Sequence, residues 1–290
     1  MQLNDLGKWK VFALESGTFK LDGGAMMGSV PKVLWEKTNK PDDLNRIKLS
    51  MRCLLVDDGI NRVLIETGIG FKNPEKFLKI FDIDHSKYTL SNTLSESGYS
   101  HNDITHVIIT HLHFDHSGGA LHFEDKQLKP SFPNATYYIS DSNWKAAINP
   151  NEREKVSYIS SNYMQLELEK KLKKIPDNYK ILDGIETYVV NGHTKGQQLV
   201  KISDSSETIV FCSDLIPLKS HLKLPWIMGY DLNAEITLSE KKKFLDQASE
   251  ENWILFFYHD PDCVAVRVQK SEKYYEIIDE IRRNQKKRFI

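Results

Sequence analysis

Three imidazoles and a carboxylate fall within six residues in Thr110-His111-Leu112-His113-Phe114-Asp115-His116-Ser117-Gly118-Gly119, directly after the apolar run Ile104-Thr105-His106-Val107-Ile108-Ile109. In extended chain the side chains alternate with a period of two, so His111 and His113 can converge on one ion. Asp115 and His116 are adjacent, point differently and can serve a second ion a few Å away; a helical zinc site would set its histidines four apart. The pattern reads as a two-metal site at the end of a strand. Imidazole with carboxylate suits Zn2+ first and also accommodates Mn2+, Fe2+, Co2+ or Ni2+, because affinity order alone does not select the metal. A lone histidine would be read as an ordinary surface side chain. Four candidate ligands, bracketed by an apolar run and a glycine pair that lets the chain turn, carry more weight.

Further donors stand at the ends of later apolar runs: His193 in Val190-Asn191-Gly192-His193-Thr194, Asp214 closing Thr208 to Asp214, and His259 after Ile254 to Tyr258. Singly, each fits a bland role, a loop histidine, a turn aspartate and a capping histidine. Jointly they repeat one architecture, strands that deliver polar residues to one edge of a sheet. A carboxylate such as Asp214 can bridge two cations through its two oxygens.

H-x-H-x-D-H, then G-H-T, then a strand-terminal Asp and a late strand-terminal His resemble the metallo-β-lactamase superfamily over most of the chain. Flanking segments resemble its branch of quorum-quenching N-acyl-homoserine lactonases and methyl parathion hydrolase: Phe19 to Gly28, Pro31 to Trp35, Leu54 to Phe71 with Glu66-Thr67-Gly68, Pro225 to Asp231, and Phe257 to Asp260. The resemblance implies an α/β (α+β) four-layer αββα sandwich. It assigns His111, His113 and His193 to one metal, Asp115, His116 and His259 to the other, and Asp214 as the bridge.

Two departures stand out. The fuller G-H-T-P-G-H reads Gly192-His193-Thr194-Lys195-Gly196-Gln197, placing Gln197 where an outer histidine is expected. Three residues after Asp214, where some relatives carry a tyrosine, the residue is Pro217, so a substrate-polarising phenol falls elsewhere, with Tyr230 the candidate, or is absent. His113 stands where di-iron oxidoreductases of the superfamily carry Glu, which disfavours oxygen or nitric oxide reduction. Asp214 stands where the commonest zinc β-lactamases carry Cys; Cys212 lies two residues earlier, on the same side by alternation, and reads as a packed thiol.

The chemistry implied is hydrolysis. Two divalent cations bring four positive charges; Asp115, Asp214 and a bridging hydroxide return three, and the surplus can stabilise an oxyanion while water's pKa falls from 15.7 toward about 7. Hydroxide would attack an ester-like carbon, with Asp115 holding the nucleophile or passing its proton to the leaving alkoxide. An N-acyl-homoserine lactone fits, its apolar tail covered by Met26, Met27, Trp35 or Trp226, positions for which core packing is an equal alternative. Organophosphate triester hydrolysis needs the same hydroxide and another pocket shape. Two readings outside that chemistry are a nucleic-acid processing or binding member of the superfamily and a non-catalytic binder that keeps the fold.

To support these ligands, 290 residues with 40% hydrophobic content suffice for one large domain, 1–290, and no linker or repeat interrupts it. A net charge of -1 gives no electrostatic reason to expect nucleic acid; the basic cluster Arg282 to Arg288 reads as a solvated end. Cys53, Cys212 and Cys263 are isolated, without C-x-x-C spacing, which disfavours a disulfide framework. No run is long enough for a membrane span, and Met1 to Lys10 lacks the pattern of a signal peptide, so the cytoplasm is the expected compartment. A homodimer is expected only from the resemblance. Asp58-Gly59 predicts a hairpin between Cys53–Val56 and Arg62–Glu66, and Asp204-Ser205-Ser206 another between Leu199–Ile202 and Thr208–Phe211. Asn151 to Lys174 and Leu238 to Glu250, the latter capped by Thr237, look helical; Val264 to Ile281 fits strand or helix; Pro217 to Tyr230 reads as a loop near the pocket.

Overall fold

The computed structural model of the chain describes residues 1–3 and 5–283. Strands β1 (Lys10–Asp22), β2 (Arg46–Asp57) and β3 (Arg62–Ile65) form an antiparallel meander whose tight β2–β3 link is the expected turn at Asp58-Gly59. β4 (His106–Ile108) adds in parallel to β3. A separate hairpin, β5 (Leu121–Glu124) with β6 (Gln127–Pro130), precedes β7 (Thr136–Ser140) and β8 (Leu172–Ile175), which extend the first sheet in parallel to the order β1-β2-β3-β4-β7-β8. The second sheet holds β9 (Tyr179–Leu182), β10 (Ile185–Val190), β11 (Gln197–Ser203), β12 (Thr208–Phe211), β13 (Ile254–Phe256), β14 (Cys263–Lys270) and β15 (Tyr275–Arg282). Its order is β15-β14-β13-β12-β11-β10-β9, antiparallel except for β12 beside β13. The ambiguous stretch after Val264 is therefore two paired strands. Of the basic cluster, positions 284–288 lie outside the described residues.

Alternation sorts each strand into two cores. Ile209, Phe211, Ile254 and Phe256 turn inward and share one core with Val11, Leu54, Val63 and Ile65, which lie on one face of the first sheet. Val210, Cys212, Leu255 and Val266 turn outward, against Phe244, Leu245 and Ala248 of the helix Ala234–Glu250. Helices Leu90–Glu96 and Asp141–Ile148 cover the first sheet, so the order is helix, sheet, sheet, helix, the α/β sandwich that the resemblance implies. Among the described residues no helix is long and apolar enough to cross a membrane.

Two expectations need correction. The stretch 151–174 is not one helix: turns and a 3-10 segment lead to the short helix Met164–Leu168, Lys170 turns the chain at φ 56°, and Leu172–Ile175 becomes β8. Pairing with the open edge of β7 satisfies a whole ladder of backbone groups, and the lysines 171, 173 and 174 suit an edge strand that must not recruit another chain. The long helix begins earlier than expected. Asn233, whose side chain accepts from Ile236 N at 3.1 Å, is its cap, and Thr237 lies inside the first turn.

Candidate metal centre

Parallel strands end together, and the donors leave from those ends. Glu66 follows β3, His111 lies three residues past β4, Asp214 three past β12 and His259 three past β13, while His193 precedes the antiparallel β11, whose start reaches the same edge. Backbone bonds staple the two sheets there: Ser50 N to His259 O at 2.8 Å, Arg52 N to Tyr258 O at 3.1 Å and Gln198 N to Thr110 O at 2.8 Å. Below them a buried Arg52 binds Glu15 (Nε to Oε1, 2.7 Å) and donates to the carbonyls of Phe257 at 3.2 Å and Cys263 at 2.9 Å.

After His113 the chain makes a single helical turn, Phe114–Ser117, which swings Asp115 and His116 away from His111 and His113. The glycine pair that follows serves close approach: a Cβ on Gly118 would meet Ile69 O at 2.2 Å, and one on Gly119 would meet Thr67 O at 2.0 Å. At the other side Ser213 adopts φ 46°. That left-handed residue breaks the strand alternation, so Asp214 faces the donors while Cys212 packs in the outer core, correcting the expectation that both share one side.

The buried donors gather in two nests. In one, His111 Nε2 and His193 Nε2 lie 3.1 and 3.3 Å from His113 Nδ1. In the other, His116 Nε2 and His259 Nε2 are 3.3 Å apart, with Asp115 Oδ2 at 3.6 and 3.5 Å from them. Asp214 puts Oδ2 at 3.3 Å from His193 Nε2 and Oδ1 at 3.2 Å from His259 Nε2, one oxygen toward each nest. Ligands about 2.0–2.1 Å from a tetrahedral zinc are separated by little more than 3 Å, so these spacings fit a cation at the centre of each nest. Asp214 Oδ1 is buried without a hydrogen-bond partner, and two imidazoles compete for the single His113 Nδ1, arrangements that a shared proton does not satisfy. The donor set therefore suits two divalent cations.

Electrostatics agree. Burial, helped by neighbouring imidazoles, holds His111 well below the usual histidine range, and burial lowers His113 despite Glu154, so both offer lone pairs. Burial opposes charge on His116 and His193, yet Asp214, Asp115 and Glu66 raise the first, and Asp231 with Asp214 raises the second. Asp214 sits well below the carboxylate range because the facing His116 and His259 outweigh its burial. Without cations these carboxylates lean on imidazolium; cations would take over that role and release the protons.

An outer layer fixes the ligands. His193 Nδ1 meets Asp231 Oδ1 at 2.9 Å, His116 Nδ1 faces the fully buried Glu66 at 3.3 Å, and His259 Nδ1 meets Ser50 O at 3.0 Å. His111 Nδ1 reaches Thr110 Oγ1 (3.0 Å), which reaches Ser213 Oγ (2.7 Å). Gln197 completes that chain. In the amide orientation that satisfies it, its oxygen accepts from Asp214 N at 2.7 Å, Leu215 N at 3.3 Å and Ser213 Oγ at 2.9 Å, so the residue replacing the expected histidine holds the Asp214 turn. Glu154 accepts from Thr194 Oγ1 and faces His113 Nε2 at 3.8 Å, and the Tyr258 hydroxyl donates to Asp115 O at 2.5 Å.

A cavity of about 560 Å³ opens onto the nests, walled by Leu21, Met26, Phe81, Phe114, Met228 and Tyr230. Of the residues expected to bind substrate, Met26 and Tyr230 line it. Met27, Trp35 and Trp226 do not; they are buried in the main hydrophobic core. A larger hollow, about 840 Å³, lies behind the Gly118-Gly119 turn and holds none of the seven predicted ligands, so donor chemistry rather than size marks the site. Sequence reading passed over Glu66 and Asp231 as functional groups, though both lie in segments that carried the resemblance. Glu154 had no such signal, because its neighbourhood looked helical.

Comparison with known proteins supplies the remaining context. An N-acyl homoserine lactonase of Bacillus thuringiensis is 24% identical over 231 residues, 74% of this chain and 82% of that protein. A probable metal-dependent hydrolase from Staphylococcus aureus superposes with a TM-score of 0.89 at 27% identity, covering 97% of this chain and 99% of that one. The dizinc quorum-quenching lactonase AidC, in complex with a product, shares the fold at a TM-score of 0.80 and 23% identity, covering 97% of each chain. Residues 52–259 match the metallo-beta-lactamase superfamily, and with its ligand motif and sandwich fold the chain belongs to that superfamily as a hydrolytic enzyme.

Proposed function

We propose that this hydrolase opens the ring ester of N-acyl-homoserine lactones or related lactones, using two divalent cations, zinc first, held by His111, His113 and His193, by Asp115, His116 and His259, and by Asp214 between them. The observation that carries the reading is the carboxylate of Asp214, which gives one oxygen to each nest. A divalent pair supplies Lewis acidity and makes water acidic enough to deliver hydroxide near neutral pH. The chain does the rest. Asp115, anchored through its carbonyl by Tyr258, is the proton carrier between the attacking water and the leaving alkoxide. Tyr230 lines the cavity, and burial, reinforced by Asp22 and Asp115, pushes its phenol up to about 12, so it stays protonated and can donate to a substrate oxygen. The apolar walls Leu21, Met26, Phe114 and Met228 exclude water and suit an acyl tail. We propose that the chain acts in the cytoplasm and as one domain, the latter supported by a single main core that draws on residues from Leu3 to Ile281.

The test is a hydrolase panel on one purified sample with measured metal content: homoserine lactones of several chain lengths and paraoxon, before and after chelation. Lactone turnover that disappears with chelator and returns with zinc, manganese or cobalt is expected. Absence of turnover on every lactone at two metals per chain overturns the proposal, and faster turnover of paraoxon than of any lactone moves it to phosphotriesters.

A further inference from the structure

The cavity has an apolar wall and one cation that the reaction does not use. Arg153 is the only lysine or arginine among the described residues that line it. Its turn is built by Asn151, whose Oδ1 accepts from Arg153 N at 2.9 Å and Glu154 N at 3.1 Å, and whose Nδ2 donates to Glu154 Oε2 at 2.6 Å. That turn sends neighbouring side chains opposite ways. Glu154 goes inward to Thr194 and His113. Arg153 stays exposed at the mouth, where its guanidinium donates to Gly229 O on the segment that carries Met228 and Tyr230. Among the described residues no carboxylate forms an ion pair with it, and its recorded partner is the Gly229 carbonyl. A guanidinium tethered by one N–H and offering others is prepared for a planar, bidentate anion.

We propose that Arg153 is a specificity-determining residue and that the preferred substrates are lactones or esters whose acyl part is apolar along its length and ends in a carboxylate. The scissile ester lies at the metal nests, the methylene chain runs past Met26, Leu21 and Met228, and the terminal carboxylate meets Arg153 at the mouth. A single carboxylate matches the single cation, whereas a phosphate dianion would leave charge uncompensated. This inference rests on the ester-hydrolase reading above and narrows its substrate class.

The experiment has two arms. In the first, kcat/KM is measured on the metal-loaded enzyme for paired acyl lactones of equal length, one tail ending in methyl and the other in carboxylate, for the wild type, Arg153→Met, Arg153→Gln and Arg153→Lys. The wild type is expected to favour the acid by about tenfold, carried by KM, consistent with a hydrogen-bonded charged contact at a wet rim; Met and Gln should abolish the preference and Lys should keep part of it. In the second, calorimetry compares a series of α,ω-dicarboxylates with monocarboxylates of equal length. Tighter binding of the dicarboxylate, lost in Arg153→Met, is expected even though it is the less hydrophobic ligand. An acid-to-neutral ratio near one in the wild type, or one unchanged in Arg153→Met and Arg153→Gln, overturns the proposal. If no lactone is hydrolysed, the lactone reading alone fails, and the binding ratio still decides the role of Arg153.

Discussion

Asp231→Asn keeps the shape of the side chain beside His193 and removes its charge. The pair is 2.9 Å long, and the side chains are 3% and 1% exposed, so water and salt do little to screen it. Two unit charges at 2.9 Å would interact by about 6 kcal/mol at an effective dielectric of 20. That is an upper bound, since a metal-bound imidazole is neutral and feels Asp231 only through its polarised N–H. Losing such a partner typically weakens metal binding by about 10- to 100-fold, which is about 1.4–2.8 kcal/mol. The assay is competition between the protein and a chromophoric chelator for zinc under native conditions, with the thermal midpoint of the metal-free protein recorded alongside. Tighter chelator capture in the variant by that factor is expected, and the site fed by His193 should empty first. Unchanged zinc affinity with a lowered midpoint would refute the reasoning: Asp231 would then be a structural partner only.

Asp214→Ala removes an oxygen from both nests, so zinc content should fall below two per chain and kcat/KM should drop by more than about 100-fold, the upper end of outer-layer effects; elemental analysis and turnover on one preparation check this. Gln197→Ala leaves the buried N–H groups of Asp214 and Leu215 without their acceptor, which should cost about 1–3 kcal/mol in a urea titration. Glu15 is held below its ordinary 4.5 because Arg52, with Arg283 and Ser50, outweighs its burial. Its stabilising share is therefore fully present above pH 4.5 and is lost as pH falls through the lower folded value. Glu15→Gln, which leaves Arg52 buried and unpaired, should cost about 3–5 kcal/mol at neutral pH, with the gap to wild type closing below pH 4.5 in acid unfolding followed by fluorescence.

The chain's local chemistry was legible where one residue type has one reason to be present. The spacing of His111, His113, Asp115 and His116, the apolar runs before His193, Asp214 and His259, and the turns at Asp58-Gly59 and Asp204 to Ser206 all follow from side-chain periodicity and turn preference, which act within a few residues. Together with the resemblance they led to the α/β sandwich. Other features depended on partners far away in sequence. The stretch from Asn151 to Lys174 looked helical, yet the free edge of β7 made its end a strand, and the turn at Asn151 left Glu154 facing His113. Met27, Trp35 and Trp226 are as large and apolar as Met26, and nothing in their type says which of the four faces the cavity. Asp231 became a partner of His193 across 38 residues, and Ser213 took the left-handed turn that aims Asp214. Side-chain period and turn chemistry are properties of neighbouring residues and can be read along the chain, whereas which groups meet across two packed sheets is decided only when the sheets close on each other.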